Sequence, residues 1–194
     1  MPILRADSEG IARAAALLRD GAVVAYPTET SYGLAVRADD GAAVARLFAI
    51  KGRHGAQAIA LIVADETMLE TVVEPSAWTP EARVLVKRHW PGPLTLVLRA
   101  QEWVAAALVN DSGGVGVRIS SDPIATALVR AVGIALTATS ANAHGDPSAS
   151  AASDALIPGV TWVVDGGRRI GRPSTVARVD RDGVKILRRG AIIP

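Results

Sequence analysis

The chain of 194 residues contains no cysteine and few aromatic residues. Without cysteine it can form neither a disulfide framework nor a thiolate metal site. Aromatic residues make up 4% of the sequence, whereas hydrophobic residues as a whole make up 49%. The core must therefore consist mainly of Ala, Val, Leu and Ile, and few rings are available for stacking on nucleic acid bases.

Membrane segments, metal motifs and a strong charge are also missing. No apolar run reaches the roughly 18 residues that a membrane span needs, and the N-terminus has no signal-peptide pattern. We therefore expect a soluble cytoplasmic protein without membrane contacts. The histidines, His54, His89 and His144, have no metal-ligand spacing. The net charge of +2 is too small to indicate nucleic acid binding by itself.

The standard nucleotide-binding and hydrolase motifs are absent as well. The sequence has no GxxxxGK[ST], and Gly113-Gly114-Val115-Gly116 does not match GxGxxG. It also has no GxSxG nucleophile motif. A nucleotide that binds this chain would need another kind of site.

Helical and strand patterns alternate along the chain, whose length fits one domain over residues 1–194. We predict helices that end at Gly21 and Lys51, one that begins at Thr79-Pro80, and one from Asp122-Pro123 to Gly133. The predicted strands are 22–26, 59–63, 94–98, 115–119, 134–137, 162–164, 175–179 and 184–187. Because several strands follow one another late in the chain, we predict an α/β fold with a mixed sheet.

Two short polar clusters stand at the ends of apolar elements. Residues 51–53 (Lys-Gly-Arg) close the second helix, and residues 140–142 (Ser-Ala-Asn) follow the run 134–139. Cations at a helix C-terminus complement its dipole, and Ser and Asn are ordinary loop residues. The alternative is an anion site, because Lys and Arg bind phosphate or carboxylate and the Asn amide donates two hydrogen bonds. The residues alone leave both interpretations open.

Other candidates lie elsewhere along the chain. The polar segment 27–33 follows the first predicted strand, where it fits either a turn or a ligand site. Arg118 interrupts an apolar strand, so it lies either on a solvated sheet face or in a cavity as a carboxylate anchor. Ser174 and Arg188 are further polar residues near the ends of elements.

Taken together and in this order, these segments resemble the YrdC/TsaC family of L-threonylcarbamoyladenylate synthases. The resemblance extends from Ala22 to Gly190. It is carried by residues 27–34, 48–53, 90–96, 115–118, 140–142 with Ser148, 173–176 and 187–190. Each motif is weak alone, but their common order makes the resemblance specific.

The resemblance implies a YrdC-like twisted mixed β-sheet flanked by helices, with an open, positively charged cavity. It implies that L-threonine, bicarbonate and ATP, with Mg²⁺ carried on the nucleotide, give L-threonylcarbamoyladenylate and pyrophosphate. The product would serve threonylcarbamoylation of the adenosine next to the anticodon of ANN-decoding tRNAs. Downstream tRNA threonylcarbamoyl-transfer proteins, and weakly bound tRNA, are the implied macromolecular partners.

The resemblance also implies roles for individual residues by matching position. The catalytic cluster would be Lys51, Arg53, Ser140 and Asn142. L-threonine would be held by Thr30, Arg118 and Ser174, with Arg118 on its carboxylate. ATP would be held by Lys51, Arg53, Gln57, Ser140, Asn142, Ser148 and Arg188.

The sequence departs from the family pattern at a few positions. Gln57 stands where the family commonly has Asn, and Ile62 replaces a His that contacts threonine. Thr139 stands where Pro is usual, and Arg172-Pro173-Ser174 replaces a commoner Glu-Ser. These changes leave the contacts of Gln57 open and remove one threonine contact.

Two other functions stay open at this point. One is a non-catalytic module of the same fold that binds tRNA or rRNA by its shape. The other is a carbamoyl-transferring module like that of hydrogenase maturation proteins, which normally lies within a much longer chain. Pyrophosphate release that requires threonine and bicarbonate together distinguishes the synthase from both.

Overall fold

The computed structural model describes residues 3–52, 59–142, 146–180 and 182–194. In this part of the chain there are five α-helices: α1 (Ser8–Arg19), α2 (Gly41–Ile50), α3 (Glu66–Val72), α4 (Pro80–His89) and α5 (Pro123–Val132). The strands of the same part are β1 (Ile3–Arg5), β2 (Val24–Pro27), β3 (Tyr32–Ala35), β4 (Leu61–Val63), β5 (Leu94–Arg99), β6 (Gly114–Ile119), β7 (Leu136–Thr137), β8 (Thr139–Ser140), β9 (Trp162–Asp165), β10 (Thr175–Asp180) and β11 (Gly183–Arg188).

The helices begin where the sequence offers a capping side chain. Each α-helix follows an Asp or Thr whose side chain accepts a hydrogen bond from a backbone N–H of the first turn. These residues are Asp7, Asp40, Asp65, Thr79 and Asp122. Helix α5 ends at Gly133, whose φ of 87° is the left-handed conformation that glycine adopts most readily. The predicted starts at Thr79 and Asp122 and the end at Gly133 are therefore confirmed.

The strands form two mixed sheets where one was predicted. The first has the order β1-β9-β2-β3-β8, and the second has the order β11-β10-β5-β6-β4-β7. Both contain parallel and antiparallel pairs. The mixed α/β character is thus confirmed, and the number of sheets is corrected.

The chain passes from the second sheet to the first at Ala138. Strand β7 pairs with β4, whereas β8, which begins at the next residue after Ala138, pairs with β3. At this junction the buried Thr137 hydroxyl donates to Leu34 O and accepts from Val36 N, both at 2.9 Å. A side chain thus supplies hydrogen bonds between the sheets, which periodicity alone does not reveal.

Strands β1 and β3 and helix α3 were not predicted. Strand β3 starts at Tyr32, inside the segment 27–33 that the sequence assigned to a turn or a ligand site. It forms an antiparallel hairpin with β2, so the turn itself is shorter and covers residues 28–31. Helix α3 has seven residues, too few for a clear helical pattern.

The core is aliphatic, as the composition predicts. One buried cluster joins both sheets to α2, α3 and α4 through residues such as Leu34, Leu47 and Leu96. The other packs α1 and α5 against the first sheet and includes Leu18 and Leu128. Successive residues of β5 and β6 point alternately into the first of these clusters and to the opposite face of the second sheet. That opposite face carries the site described below.

None of the helices in the described ranges is long and apolar enough to span a membrane.

Candidate functional site

A cavity of about 350 Å³ lies against the second sheet, on the face opposite the core. Its floor includes Thr95 and Val97 of β5 and Gly116 and Arg118 of β6. The residues between them, Leu96 and Val117, are fully buried in the core. Small-molecule sites commonly have volumes of ~300–1,000 Å³, so the cavity is large enough for a ligand of this class.

Six of the ten predicted site residues line this cavity. They are Thr30, Arg118, Ser140, Ser148, Ser174 and Arg188. Lys51 and Asn142 adjoin the lining through hydrogen bonds at Ser140. Arg53 and Gln57 lie outside the described residues. Positions far apart in the sequence thus meet in one place; the resemblance implied a common cavity, and the roles of these residues stay predictions.

Lys51 is buried at the end of α2 and holds the turn 140–142. Its side chain donates to Ser140 O at 2.7 Å, to Asn142 O at 2.8 Å, and to Asn142 Oδ1. Ser140 Oγ donates to the same Asn142 Oδ1 at 2.6 Å. With 2% of Lys51 exposed, this lysine is more than a solvated cation at a helix end. It fixes the position of a turn that borders the cavity.

The turn 28–31 is held by its own side chains and also lines the cavity. Thr28 Oγ1 donates to Ser31 O at 2.7 Å and accepts from the backbone N–H of Thr30 and Ser31 at 3.3 Å. The Thr30 hydroxyl lies 3.0 Å from Thr28 Oγ1. The turn alternative for this segment is therefore confirmed. Because Thr28, Thr30 and Ser31 also line the cavity, the ligand-site alternative stays a prediction.

Arg118 lies in the cavity and not on a solvated sheet face. It is 4% exposed, and its Nε donates to Glu29 Oε1 at 3.0 Å. Sequence reasoning missed Glu29, although it lies inside the segment 27–33. Ile62, at the position of the family's His, pairs in register with Arg118 but is fully buried in the cluster that also contains Leu18 and Leu128.

Ser174, directly before β10, and Arg188, at the end of β11, also line the cavity and contact each other. Arg188 donates to Ser174 O at 2.8 Å and to Ser174 Oγ at 3.0 Å, and Ser174 Oγ lies 2.9 Å from Thr95 Oγ1. Partial burial and, secondarily, the charge of Arg118 lower the pKa of Arg188 from its usual value. Two guanidinium groups that interact in one cavity favour an anionic ligand.

The family model Sua5_yciO_yrdC, described as "Telomere recombination", matches residues 16–190. The chain belongs to this family. The match covers every motif on which the resemblance was based, so the predicted family is confirmed.

Proteins similar to this chain carry the name Threonylcarbamoyl-AMP synthase. The one from Bacillus subtilis (strain 168) is 39% identical over 188 residues, which cover 94% of this chain and 54% of that protein. The one from Xanthomonas euvesicatoria pv. vesicatoria (strain 85-10) is 37% identical over 189 residues, which cover 94% of this chain and 98% of that protein. The chain thus spans about half the length of the Bacillus relative and nearly all of the Xanthomonas relative.

A solved structure of the family has the same fold. The crystal structure of Pyrococcus abyssi Sua5 complexed with L-threonine matches with a TM-score of 0.92 and 34% sequence identity. The match covers 98% of this chain and 58% of that chain. The YrdC-like fold predicted from the resemblance is therefore confirmed.

Proposed function

We propose that the chain, as one domain over residues 1–194, catalyses the formation of L-threonylcarbamoyladenylate and pyrophosphate from L-threonine, bicarbonate and ATP. The observation that carries the proposal is the meeting of Thr30, Arg118, Ser174, Ser140 and Arg188 in one cavity. The names of its relatives and the threonine complex of P. abyssi Sua5 support it.

The reaction explains why the cavity carries cations and hydroxyls. The threonine amine and bicarbonate form a carbamate with loss of water. A carbamate oxygen then attacks the α-phosphorus of ATP, and the bond to the β-phosphate breaks as pyrophosphate leaves. Because both reactants are anions, the site must mainly supply positive charge and orientation.

Each predicted residue has a role in this scheme. Arg118 would bind the threonine carboxylate, with Thr30 and Ser174 beside it. Arg188, Ser140 and Ser148 would bind ATP, together with Arg53 and Gln57. Lys51 and Asn142 would keep Ser140 in place, and the Lys51 ammonium would add positive charge near the phosphates.

A protein-held Mg²⁺ site does not fit the donors in the cavity. Its described lining offers hydroxyl and guanidinium groups and no carboxylate, whereas Mg²⁺ sites in proteins use carboxylates. No group of three or more His, Asp or Glu side chains suited to a metal occurs in the described part of the chain. We propose that Mg²⁺ is carried by the triphosphate oxygens and water.

The proposal extends to the cellular role. The protein would act in the cytoplasm and deliver its product to downstream tRNA threonylcarbamoyl-transfer proteins, with weak tRNA binding of its own. The modified base would be the adenosine next to the anticodon of ANN-decoding tRNAs.

Pyrophosphate release tests the proposed reaction. The purified chain is incubated with ATP and Mg²⁺, and with L-threonine and bicarbonate singly or together. Release is expected with both and not with either alone. Equal release without threonine would overturn the proposal. Salt-sensitive tRNA binding without any turnover would instead favour the RNA-binding module.

Gly171 should be important for threonine binding, because the segment before Ser174 packs against the turn 28–31. A Cβ at Gly171 would lie 2.3 Å from Glu29 O and 2.9 Å from Thr30 Cα. Gly171→Ala must displace this turn, and we expect the KM for L-threonine to rise about tenfold, given the ~1–3 kcal/mol typical of overpacking.

The matched control is Gly41→Ala, since a Cβ there meets no atom within 4 Å. Steady-state kinetics with L-threonine as the varied substrate should leave Gly41→Ala at the wild-type KM. An unchanged threonine KM in Gly171→Ala would show that the turn does not border the threonine site.

A further inference from the structure

The carboxylate of Glu29 is bound at both of its oxygens. Oε1 accepts from Arg118 Nε at 3.0 Å, and Oε2 accepts from the Ser120 hydroxyl. The side chains of Glu29 and Arg118 are 12% and 5% exposed. Ser120 Oγ in turn accepts from the backbone N–H of Asp122, the N-cap of α5, at 3.1 Å. The carboxylate is thus anchored to the framework and not only to Arg118.

This arrangement leaves the far edge of the Arg118 guanidinium available. The hydrogen bond to Glu29 uses Nε, and in the described ranges neither Nη1 nor Nη2 has a hydrogen-bond partner. Arg118 lines the cavity, whereas Glu29 is not among the described lining residues. A guanidinium fixed at Nε still offers two parallel N–H groups, the geometry that matches a carboxylate.

Glu29 also offsets the charge of its partner. Arg118 is almost fully buried, and its charge contributes to the lowered pKa of Arg188 in the same cavity. A buried guanidinium without a counter-ion destabilises the fold and turns toward any acceptor within reach. With Glu29 in place, the cation is held in one orientation before a ligand arrives.

We propose that Glu29 is a positioning residue that fixes Arg118 through Nε, so that Nη1 and Nη2 face the cavity and bind the substrate carboxylate end-on. The inference rests on the proposed function and deepens it at the threonine subsite. Glu29 itself does not touch the substrate.

The chain contains a matched control pair. Glu74 Oε1 accepts from Arg99 Nε at 3.0 Å, the same contact at the same distance. Arg99 and Glu74 are 62% and 30% exposed, and neither lines the cavity. Glu74→Ala therefore removes an equivalent hydrogen bond without affecting the site.

Calorimetric titration with L-threonine tests the proposal, since P. abyssi Sua5 was crystallised with this ligand. In Glu29→Ala the Kd is expected to rise about tenfold, as for a lost charge-assisted hydrogen bond. Glu29→Gln should stay within about threefold of wild type, because its amide oxygen can still accept from Nε. Glu74→Ala should bind as wild type does.

L-threoninol, which lacks the carboxylate, separates positioning from collapse of the site. Its Kd should be the same in wild type and Glu29→Ala. In an Arg118→Ala background, Glu29→Ala should cause no further loss of L-threonine affinity, because the two residues act through one contact. If Glu29→Ala does not fold, Glu29→Met, which fills a similar volume without an acceptor, should give the same results.

Three results would overturn the inference: a threonine Kd within about twofold of wild type in Glu29→Ala, an equal loss for L-threoninol, or an equal loss in Glu29→Gln. If wild type binds L-threonine and releases pyrophosphate while Glu29→Ala binds equally well, only this inference fails. If wild type binds no L-threonine, the proposed function fails with it.

Discussion

Lys51→Met should lower threonine-dependent pyrophosphate release by about a hundredfold and also destabilise the fold. The substitution keeps the length of the side chain but removes the donor to Ser140 O, Asn142 O and Asn142 Oδ1. A displaced catalytic group can lower a rate about 10²-fold. Partly buried acceptors left without a donor cost up to about 1–3 kcal/mol, which lowers the unfolding midpoint by up to roughly 2–12 °C.

Initial rates of pyrophosphate release and thermal unfolding measure these two effects. Lys87→Met is the control, because Lys87 is exposed on α4 and does not line the cavity. A Lys51→Met enzyme with wild-type activity would contradict the role of the turn 140–142. The expected loss of stability exceeds what a solvated cation at a helix end would give, since such a cation contributes only ~0.3–1 kcal/mol.

Arg118→Ala should raise the KM for L-threonine about a hundredfold, with a smaller effect on the KM for ATP. The substitution removes the proposed partner of the substrate carboxylate, and losing one member of a buried charge pair costs ~2–5 kcal/mol. A hundredfold change in KM corresponds to about 2.8 kcal/mol, within this range. Steady-state kinetics with each substrate varied in turn separates the two effects.

Arg99→Ala is the matched control for this substitution. Arg99 belongs to the neighbouring strand β5 and makes the same Nε contact to a glutamate, but outside the cavity. It should leave the threonine KM unchanged. Unchanged threonine dependence in Arg118→Ala would place the carboxylate site elsewhere.

Local signals in the sequence predicted much of the helical framework. Thr79 and Asp122 cap the N-termini of α4 and α5, and Gly133 ends α5. The effect of each residue depends on its neighbours in the sequence. The division into two sheets could not be predicted in this way. The junction between the sheets lies beside Thr137, whose hydroxyl bonds to residues 101 and 103 positions away, and local signals do not show such contacts.

The candidate site, like the fold, could be predicted from the sequence only in part. Lys51 and Ser140 could each be explained by their own surroundings, and their contact spans 89 positions in the sequence. The family resemblance implied that they would lie in one cavity, but not that Lys51 would be buried. Glu29 was missed because a carboxylate in a turn is ordinary, and only the fold brings it to Arg118.

Mass spectrometry of the product tests the central claim most directly. The purified chain is incubated with ATP, Mg²⁺, L-threonine and bicarbonate labelled with ¹³C, and the nucleotide products are separated. We expect a product with the mass of L-threonylcarbamoyladenylate that contains the labelled carbon, formed together with pyrophosphate. Pyrophosphate with AMP alone, or an adenylate of threonine without the label, would contradict the proposed reaction.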